Sequence, residues 1–197
     1  MNDGPSLRER KRLAMMRHVQ DVAIALFEEH GFGKVTIEQV AQAAEVSPSS
    51  VYRHFGTKEQ LVLWDEYDPV LIERLAQFLV DHPPVQAMRE MLRTVGHPLL
   101  GPNEDQVRAT VRWWVEEPSV EAAASAHVTA TTEAIAQVIA VAYEREPDEL
   151  QVRVIAGALV SAVESALRTW HRRGFEPRLL DLIDDALAVC EGGLRLR

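Results

Sequence analysis

The 197-residue chain is 47% hydrophobic and 26% charged, the balance of a folded globular protein and not of a disordered or fibrous one. Its apolar runs are read as broken by charge short of the roughly 18 residues that a membrane span needs, and its charged start has no apolar signal segment, so a cytoplasmic protein with no membrane partner is expected. A single cysteine, Cys190, excludes an internal disulfide and a Cys-rich zinc site. The net charge of −9 argues against nucleic acid only until its distribution is read: Lys and Arg outnumber Asp and Glu by one up to Lys58 and fall ten short of them beyond it. Arg8, Arg10, Lys11, Arg12 and Arg17 crowd the start. They form either a DNA-contacting basic arm on an acidic body or a solvated charged tail.

Helical spacing recurs along almost the whole sequence and no strand alternation persists, so an all-α fold is expected. Val19, Val22, Ala23, Leu26 and Phe27 form one buried stripe of a first helix, which ends at His30-Gly31 because glycine tolerates a left-handed cap. Thr36 caps a short second helix carrying Ile37, Val40, Ala41 and Ala44 at the same spacing. Ser47-Pro48 opens a third, from about Pro48 to His54, with proline where its missing N–H costs nothing. Gly56 closes it, and Thr57-Lys58-Glu59-Gln60 reads as a capping box for a longer fourth helix. Pro69 either kinks that helix or restarts it, since proline removes a backbone donor and clashes with the preceding turn. Helices follow over about Val85 to Val95, Asn103 to Glu116, Ser119 to Arg145, Pro147 to Arg173 and Pro177 to Gly192. The cluster His97-Pro98-Leu99-Leu100-Gly101-Pro102 is expected to be a mobile loop.

Three short helices with a tight turn between the second and third can seat one helix in a DNA major groove, its N-terminal residues facing base edges. Around the core-type Val51 and Phe55 the third helix is polar: Ser47, Ser49, Ser50, Tyr52, Arg53 and His54. Short hydroxyls allow close approach, Tyr52 and His54 can donate to phosphate, and Arg53 can do that or read guanine through two hydrogen bonds. The run Thr36-Ile37-Glu38-Gln39-Val40-Ala41-Gln42-Ala43-Ala44-Glu45-Val46-Ser47 is followed by Ser50-Val51-Tyr52-Arg53-His54-Phe55-Gly56-Thr57-Lys58-Glu59-Gln60-Leu61 and preceded by Ala25-Leu26-Phe27-Glu28-Glu29-His30-Gly31-Phe32. At these residues the sequence resembles the TetR family.

The resemblance implies a helix-turn-helix DNA-binding domain over residues 1–58 and a ligand-binding and dimerisation domain over residues 59–197. It implies a homodimer on double-stranded operator DNA, acting as a repressor that a small-molecule effector releases, with no cofactor or metal. By position it gives phosphate contacts to Thr36, Ser47, Tyr52, His54 and Lys58, and base contacts to Ser49, Ser50 and Arg53. Two departures stand out. Glu45 occupies the turn position where the family usually has glycine, so its backbone must tolerate strain, and Pro48-Ser49 replaces the usual small, flexible pair.

Beyond Lys58, Val152, Ile155, Ala156, Leu159, Val160, Val163, Leu167 and Trp170 form an apolar stripe, and Gly157, Ser161 and Ser165 form a second stripe of small residues. With Leu179, Leu182, Ile183, Ala186, Leu187 and Cys190 they suit a four-helix dimer interface, or interior burial in one subunit. For the effector, Trp64, Tyr67, Phe78, Met88, Met91, Trp113, Trp114 and His127 are the large or adaptable side chains between the modules, each a candidate for ligand contact or for plain packing. Trp113 through Trp170 is similar to TetR-like sensors of acyl-CoA-type or other lipid-like ligands. Arg108 and Arg112 can hold an anionic headgroup or pair with Glu104 and Glu116 one turn away, the reading the spacing favours. No G-x-S-x-G, phosphate-cradling glycine loop or H-E-x-x-H is present, so no enzyme is expected. A helical ligand-binding protein without DNA binding is the other reading.

Overall fold

In the computed structural model, which describes residues 6–195, the helical periods become eleven α-helices, with no strand among the described residues. Helix α1 (Leu7–His30) begins at Ser6, whose hydroxyl accepts from the Glu9 N–H at 3.2 Å, so the early basic residues lie on a helix and not on an extended arm. Its stripe buries Met16, Val19, Ala23 and Phe27. Gly31 reverses the chain at φ +87°, ψ 141°, a glycine conformation, though extended and not the left-handed helical cap expected. A 3-10 turn (Phe32–Lys34) leads to α2 (Ile37–Ala43), and Glu45, at φ +56°, turns the chain into α3 (Pro48–Phe55). Val40, Ala41, Val51 and Phe55 close this small core against α1.

The capping box falls at Thr36, whose hydroxyl accepts from Gln39 N (3.3 Å) while Gln39 Oε1 accepts from Thr36 N (2.8 Å). At Thr57 only half of one forms. Its hydroxyl accepts from Gln60 N at 3.3 Å, but its own N–H is already spent on the Phe55 carbonyl at 2.9 Å.

The expected long fourth helix is two helices. Helix α4 (Lys58–Leu63) stops where Trp64 turns extended (φ −64°, ψ 123°), and α5 (Asp68–Phe78) restarts after the linker Trp64–Tyr67. Asp65 Oδ1 accepts from the N–H groups of Tyr67 (2.6 Å) and Asp68 (3.4 Å), closing a turn that competes with helix continuation. Pro69 falls in the first turn of α5, where no donor is lost. Helix α6 (Pro84–Met91) then runs through a π turn (Leu92–Gly96), α7 (His97–Leu100) and a 3-10 turn (Gly101–Asn103) into α8 (Glu104–Glu116). The loop expected over His97 to Pro102 is therefore helical: Pro98 and Pro102 each sit in the first turn of a new element and so break no hydrogen bond inside one.

Helices α9 (Pro118–Ala142), α10 (Leu150–Arg172) and α11 (Leu179–Glu191) complete the body, α10 packing on α9 and α11. Leu159, Trp170 and Leu187 are wholly buried there. Trp170 Nε1 donates to the Pro177 carbonyl at 2.7 Å and its ring meets Phe175 edge-on at 4.7 Å, fixing the turn between α10 and α11. By length and composition α10 is apolar enough to cross a membrane, although Arg153, Glu164 and Arg168 interrupt its apolar run. Its apolar stripe is spent on the body's own core.

One polar side chain is buried among the described residues. Gln20 of α1, 2% exposed, donates through Nε2 to the carbonyls of Trp64 (2.8 Å) and Val62 (3.3 Å) and accepts from Gln106 Nε2 of α8 (2.7 Å). It supplies the hydrogen bonds that the end of α4 would otherwise lack. Replacing Gln20 with leucine should leave those carbonyls unpaired and cost about 2 kcal/mol in urea denaturation, with native helical content retained.

Candidate DNA-binding surface and effector cavity

On α3 the sequence separates two faces. Val51 and Phe55 turn inward, while Ser47, Ser49, Tyr52 and Arg53 are exposed and Ser50 and His54 half-buried. Ser47 caps the helix, its hydroxyl accepting from Ser50 N at 3.2 Å and sharing a hydrogen bond with Ser49 Oγ at 3.0 Å. Arg53 donates to Ser50 Oγ at 3.2 Å. Tyr52 donates to Glu38 Oε1 at 2.9 Å; a backbone hydrogen bond first, and this one second, hold the Glu38 carboxyl below the usual range, and the bond to Glu38 raises the tyrosine. Burial, then the charges of Arg53 and Arg12, push His54 down, so it stands neutral near pH 7.

The expected contact residues therefore share one end of the molecule, with two of them already engaged. Tyr52 is held by Glu38. Lys58 points inward, its ammonium donating to the carbonyls of Phe32 (2.7 Å) and Val35 (3.1 Å) and lying 4.2 Å from the centre of the Phe32 ring. Its visible task is to fasten the 3-10 turn to the start of α4. In the basic run, Arg12 pairs with Glu9 and Arg17 with Glu66, whereas Arg8, Arg10 and Lys11 are exposed.

Between α4, α5, α6, α8, α9 and α10 lies a cavity of about 260 Å³. Trp64, Tyr67, Met88, Met91, Trp114 and His127 of the expected residues line it. Trp113 does not. It projects from the neighbouring stripe of α8 onto α1, with Phe27 and Phe32 each 6.1 Å away. Phe78 packs against the core outside the cavity. Arg108 and Arg112 also lie outside. Arg108 pairs with Glu104 at 3.6 Å as expected, but Arg112 pairs with Glu28 of α1, and Glu116 meets His171 at 2.9 Å instead.

Sequence reasoning missed the polar end of this cavity, where Asp65, Glu66, Asp68, Gln20 and Gln106 line the wall. The signal was local: Asp65 followed by Asp68-Pro69 is a helix start inside what read as a continuous helix. His127 Nε2 lies 3.0 Å from Asp68 Oδ2, and that hydrogen bond raises the imidazole above its ordinary value. The stabilisation from this pair is complete below the ordinary histidine value and is lost as pH rises through the raised one. Asp65 is exposed at the surface, and partial loss of hydration first, then the Asp68 charge, push its carboxyl up to about 6.

On the far side, the apolar stripe of α10 faces the protein's own core, while Val154, Ser161 and Ser165 are exposed and Gly157 is half-buried with open space beside it. Leu179, Leu182, Ile183 and Leu187 of α11 are likewise buried within the chain.

The family profile described as bacterial regulatory proteins, tetR family, matches residues 20–63, and the profile of the MftR C-terminal domain matches residues 82–195, more than half of the chain. The chain is 34% identical over 95 residues to the HTH-type transcriptional regulator TcmR of Streptomyces glaucescens, a match that covers 47% of this chain and 42% of that protein. The aligned part thus spans less than half of TcmR. Against the regulator MftR of Mycobacterium tuberculosis, whose name refers to mycofactocin biosynthesis, identity is 25% over 170 residues and coverage 83% of each. The solved structure of Thermus thermophilus FadR, described as a TetR family transcriptional repressor in complex with lauroyl-CoA, shares the fold, with a TM-score of 0.56, 19% identity and coverage of 92% of this chain and 96% of that one.

Glu45 carries the strain that its place in the turn implies, with φ at +56°. Glu45→Gly should stabilise the protein by up to about 1 kcal/mol, since the relief of a left-handed backbone exceeds glycine's added unfolded entropy. Thermal denaturation measures this, and a loss of stability would show that the Glu45 side chain itself holds the turn.

Proposed function

The chain belongs to the TetR family of bacterial regulatory proteins, and we propose that it is a homodimeric DNA-binding transcriptional repressor released from its operator by a small apolar or amphipathic effector. One observation carries this reading: the linker Trp64–Tyr67 walls the cavity and is hydrogen-bonded to α1 of the helix-turn-helix unit. Residues 1–58 form the DNA-binding part and residues 59–197 the sensing and dimerising part, with a regulatory and not a catalytic role.

On DNA, Thr36, Ser47, Tyr52 and His54 contact phosphates, and Ser49, Ser50 and Arg53 meet base edges. Lys58 reaches a phosphate only by releasing the Phe32 and Val35 carbonyls, and Tyr52 by releasing Glu38. Arg8, Arg10 and Lys11 add exposed positive charge at the same end. The small-residue face of α10 is where a second copy packs, because Gly157, Ser161 and Ser165 let a helix approach closely.

The effector occupies the cavity. Its volume of about 260 Å³ lies just below the roughly 300–1,000 Å³ of drug-sized ligand sites, room for a small effector. FadR's lauroyl-CoA belongs to FadR; carried to this chain, an acyl-CoA-like effector would lay its acyl chain among Leu75, Met88 and Ile135 and keep its phosphates outside, since no lysine or arginine lines the cavity. Filling the cavity displaces Trp64–Tyr67, and the bonds of Gln20 and the Arg17–Glu66 pair carry the displacement to α1.

Tyr52→Phe removes one neutral phosphate donor and no charge. Affinity for DNA from upstream of the chain's own coding region should fall by roughly tenfold for every sequence variant, with an unchanged salt slope. Arg53→Ala should instead flatten the preference among sequences, and unchanged affinity in both would remove α3 from the interface. Ser161→Arg should convert a dimer to a monomer in sedimentation and abolish tight operator binding while keeping the helical fold. A monomeric unsubstituted protein would overturn the dimer.

A further inference from the structure

Tyr52 has one phenolic proton, and in the free protein that proton is already engaged. Its hydroxyl donates to Glu38 Oε1 at 2.9 Å, a contact that joins the first turn of α2 to the exposed face of α3. A phenol donates to one acceptor at a time, so a phosphate oxygen takes this proton only after the Glu38 carboxylate has given it up. Were Glu38 to stay in place, the two acceptors around the one hydroxyl would set two negative charges within about 6 Å of each other.

The Glu38 carboxyl draws on more than Tyr52. Its own backbone N–H first, then the Tyr52 hydroxyl and then the Thr36 hydroxyl hold it below the usual range, and all of these donors are uncharged. The Thr36 oxygen accepts from Gln39 N at 3.3 Å, which leaves the hydroxyl proton free for an anion. Hydroxyls from either side of the helix-turn-helix therefore turn toward one carboxylate, and they are the same Thr36 and Tyr52 that contact phosphates in the proposed complex. The base-facing side chains are engaged elsewhere: Ser49 with Ser47, and Arg53 with Ser50.

Resting on the DNA-binding reading above, we infer that Glu38 limits the affinity of the DNA surface: its carboxylate occupies the Tyr52 hydroxyl in place of a phosphate and is displaced when DNA binds. Displacement breaks a hydrogen bond to a charged acceptor and brings phosphate toward a carboxylate, and both effects oppose binding. Because the contact involves phosphate donors and no base reader, it weakens binding to every duplex by the same factor. Attraction to non-specific DNA is thereby held down, and the preference among sequences stays with Ser49, Ser50 and Arg53.

The test measures binding of the full-length protein, at one fixed salt concentration, to two labelled duplexes of equal length: DNA from upstream of its own coding region and a shuffled sequence of the same composition. Glu38→Ala should tighten both by roughly threefold to tenfold and leave their ratio unchanged. Glu38→Gln removes the charge but keeps an acceptor for Tyr52, so it should tighten both by less. Tyr52→Phe should cost more affinity in the Glu38→Ala protein than in the unsubstituted one, because there the hydroxyl leaves no carboxylate to reach DNA. Glu38 is exposed, and thermal denaturation checks that each variant is folded. Weaker binding by Glu38→Ala would make Glu38 a residue that positions Tyr52 for DNA, a changed ratio would make it a base reader, and additive effects of the two substitutions would leave only its charge at work. Each of these overturns the inference, as does unchanged affinity. An unsubstituted protein that binds neither duplex would remove the DNA-binding reading and the inference together, whereas binding that Glu38 does not limit removes the inference alone.

Discussion

Helix α4 ends inside the protein, beside the wall of the cavity. A helix that stops inside a protein leaves carbonyls with no intrahelical donor, and leaving them dry costs about as much as a hydrogen bond. Here the carbonyls of Val62 and Trp64 are paired by Gln20, a side chain from a different helix, whose oxygen is in turn held by Gln106. Because Gln20 shares α1 with Val19, Ala23 and Phe27, the bonds that finish α4 also anchor the core of the helix-turn-helix unit. The same short segment therefore ends one helix, starts the next and walls the cavity. Arg17 and Glu66 tie it a second time to α1.

Charge is divided in keeping with that arrangement. All of the acidic excess lies beyond Lys58, and many of its carboxylates meet cations: Asp184 and Glu191 share Arg89, Glu149 meets Arg145, and Glu121 and Glu164 share Arg168. Such exposed pairs add little stability. What they leave is an uneven distribution of charge, with the acidic excess beyond Lys58 and with Arg8, Arg10, Lys11 and Arg53 exposed before it. Glu38 and Glu45 are acidic residues close in sequence to α3. Glu38 is occupied by Tyr52, and Glu45 lies at a turn whose shape a glycine would meet with less strain.

The short helices of the N-terminal unit were legible because each is delimited by chemistry acting within a few residues: Thr36 and Ser47 as caps, Pro48 in a first turn, Gly56 after a last one. The stripes of α1 and α10 were legible because a regular period buries a regular face. The restart at Asp68 was half-legible. Pro69 marked it, but only the turn made by the Asp65 carboxyl decides between a kink and a break. The helical path through Pro98 and Pro102 was not legible, because a proline costs a helix nothing at a first turn and everything inside one, and the sequence does not number the turns. Trp113 and Trp114 were equal candidates by type, and a rotation of about 100° between neighbours sends one to the cavity and the other to Phe27 and Phe32. The reach of Gln20 across 44 positions to Trp64 is tertiary, and no local pattern announces it.

That clasp also bounds how strongly an effector can act. Ligand and DNA communicate only through the difference in a ligand's affinity for the two arrangements of the protein, however tightly it binds either. If the displaced element is the linker, the difference is limited by what holds the linker in place: the hydrogen bonds of Gln20, the turn of Asp65 and two ion pairs, Arg17–Glu66 and His127–Asp68. Bonds exchanged for others of similar kind yield only their net differences, so the coupling belongs in the range of roughly 1–3 kcal/mol, or about 5–150-fold in affinity. Reciprocity then fixes the other direction. A protein held on DNA must bind its effector more weakly by the same factor, so a linker that made the cavity sensitive to DNA would also keep the bound protein from responding to a trace of ligand.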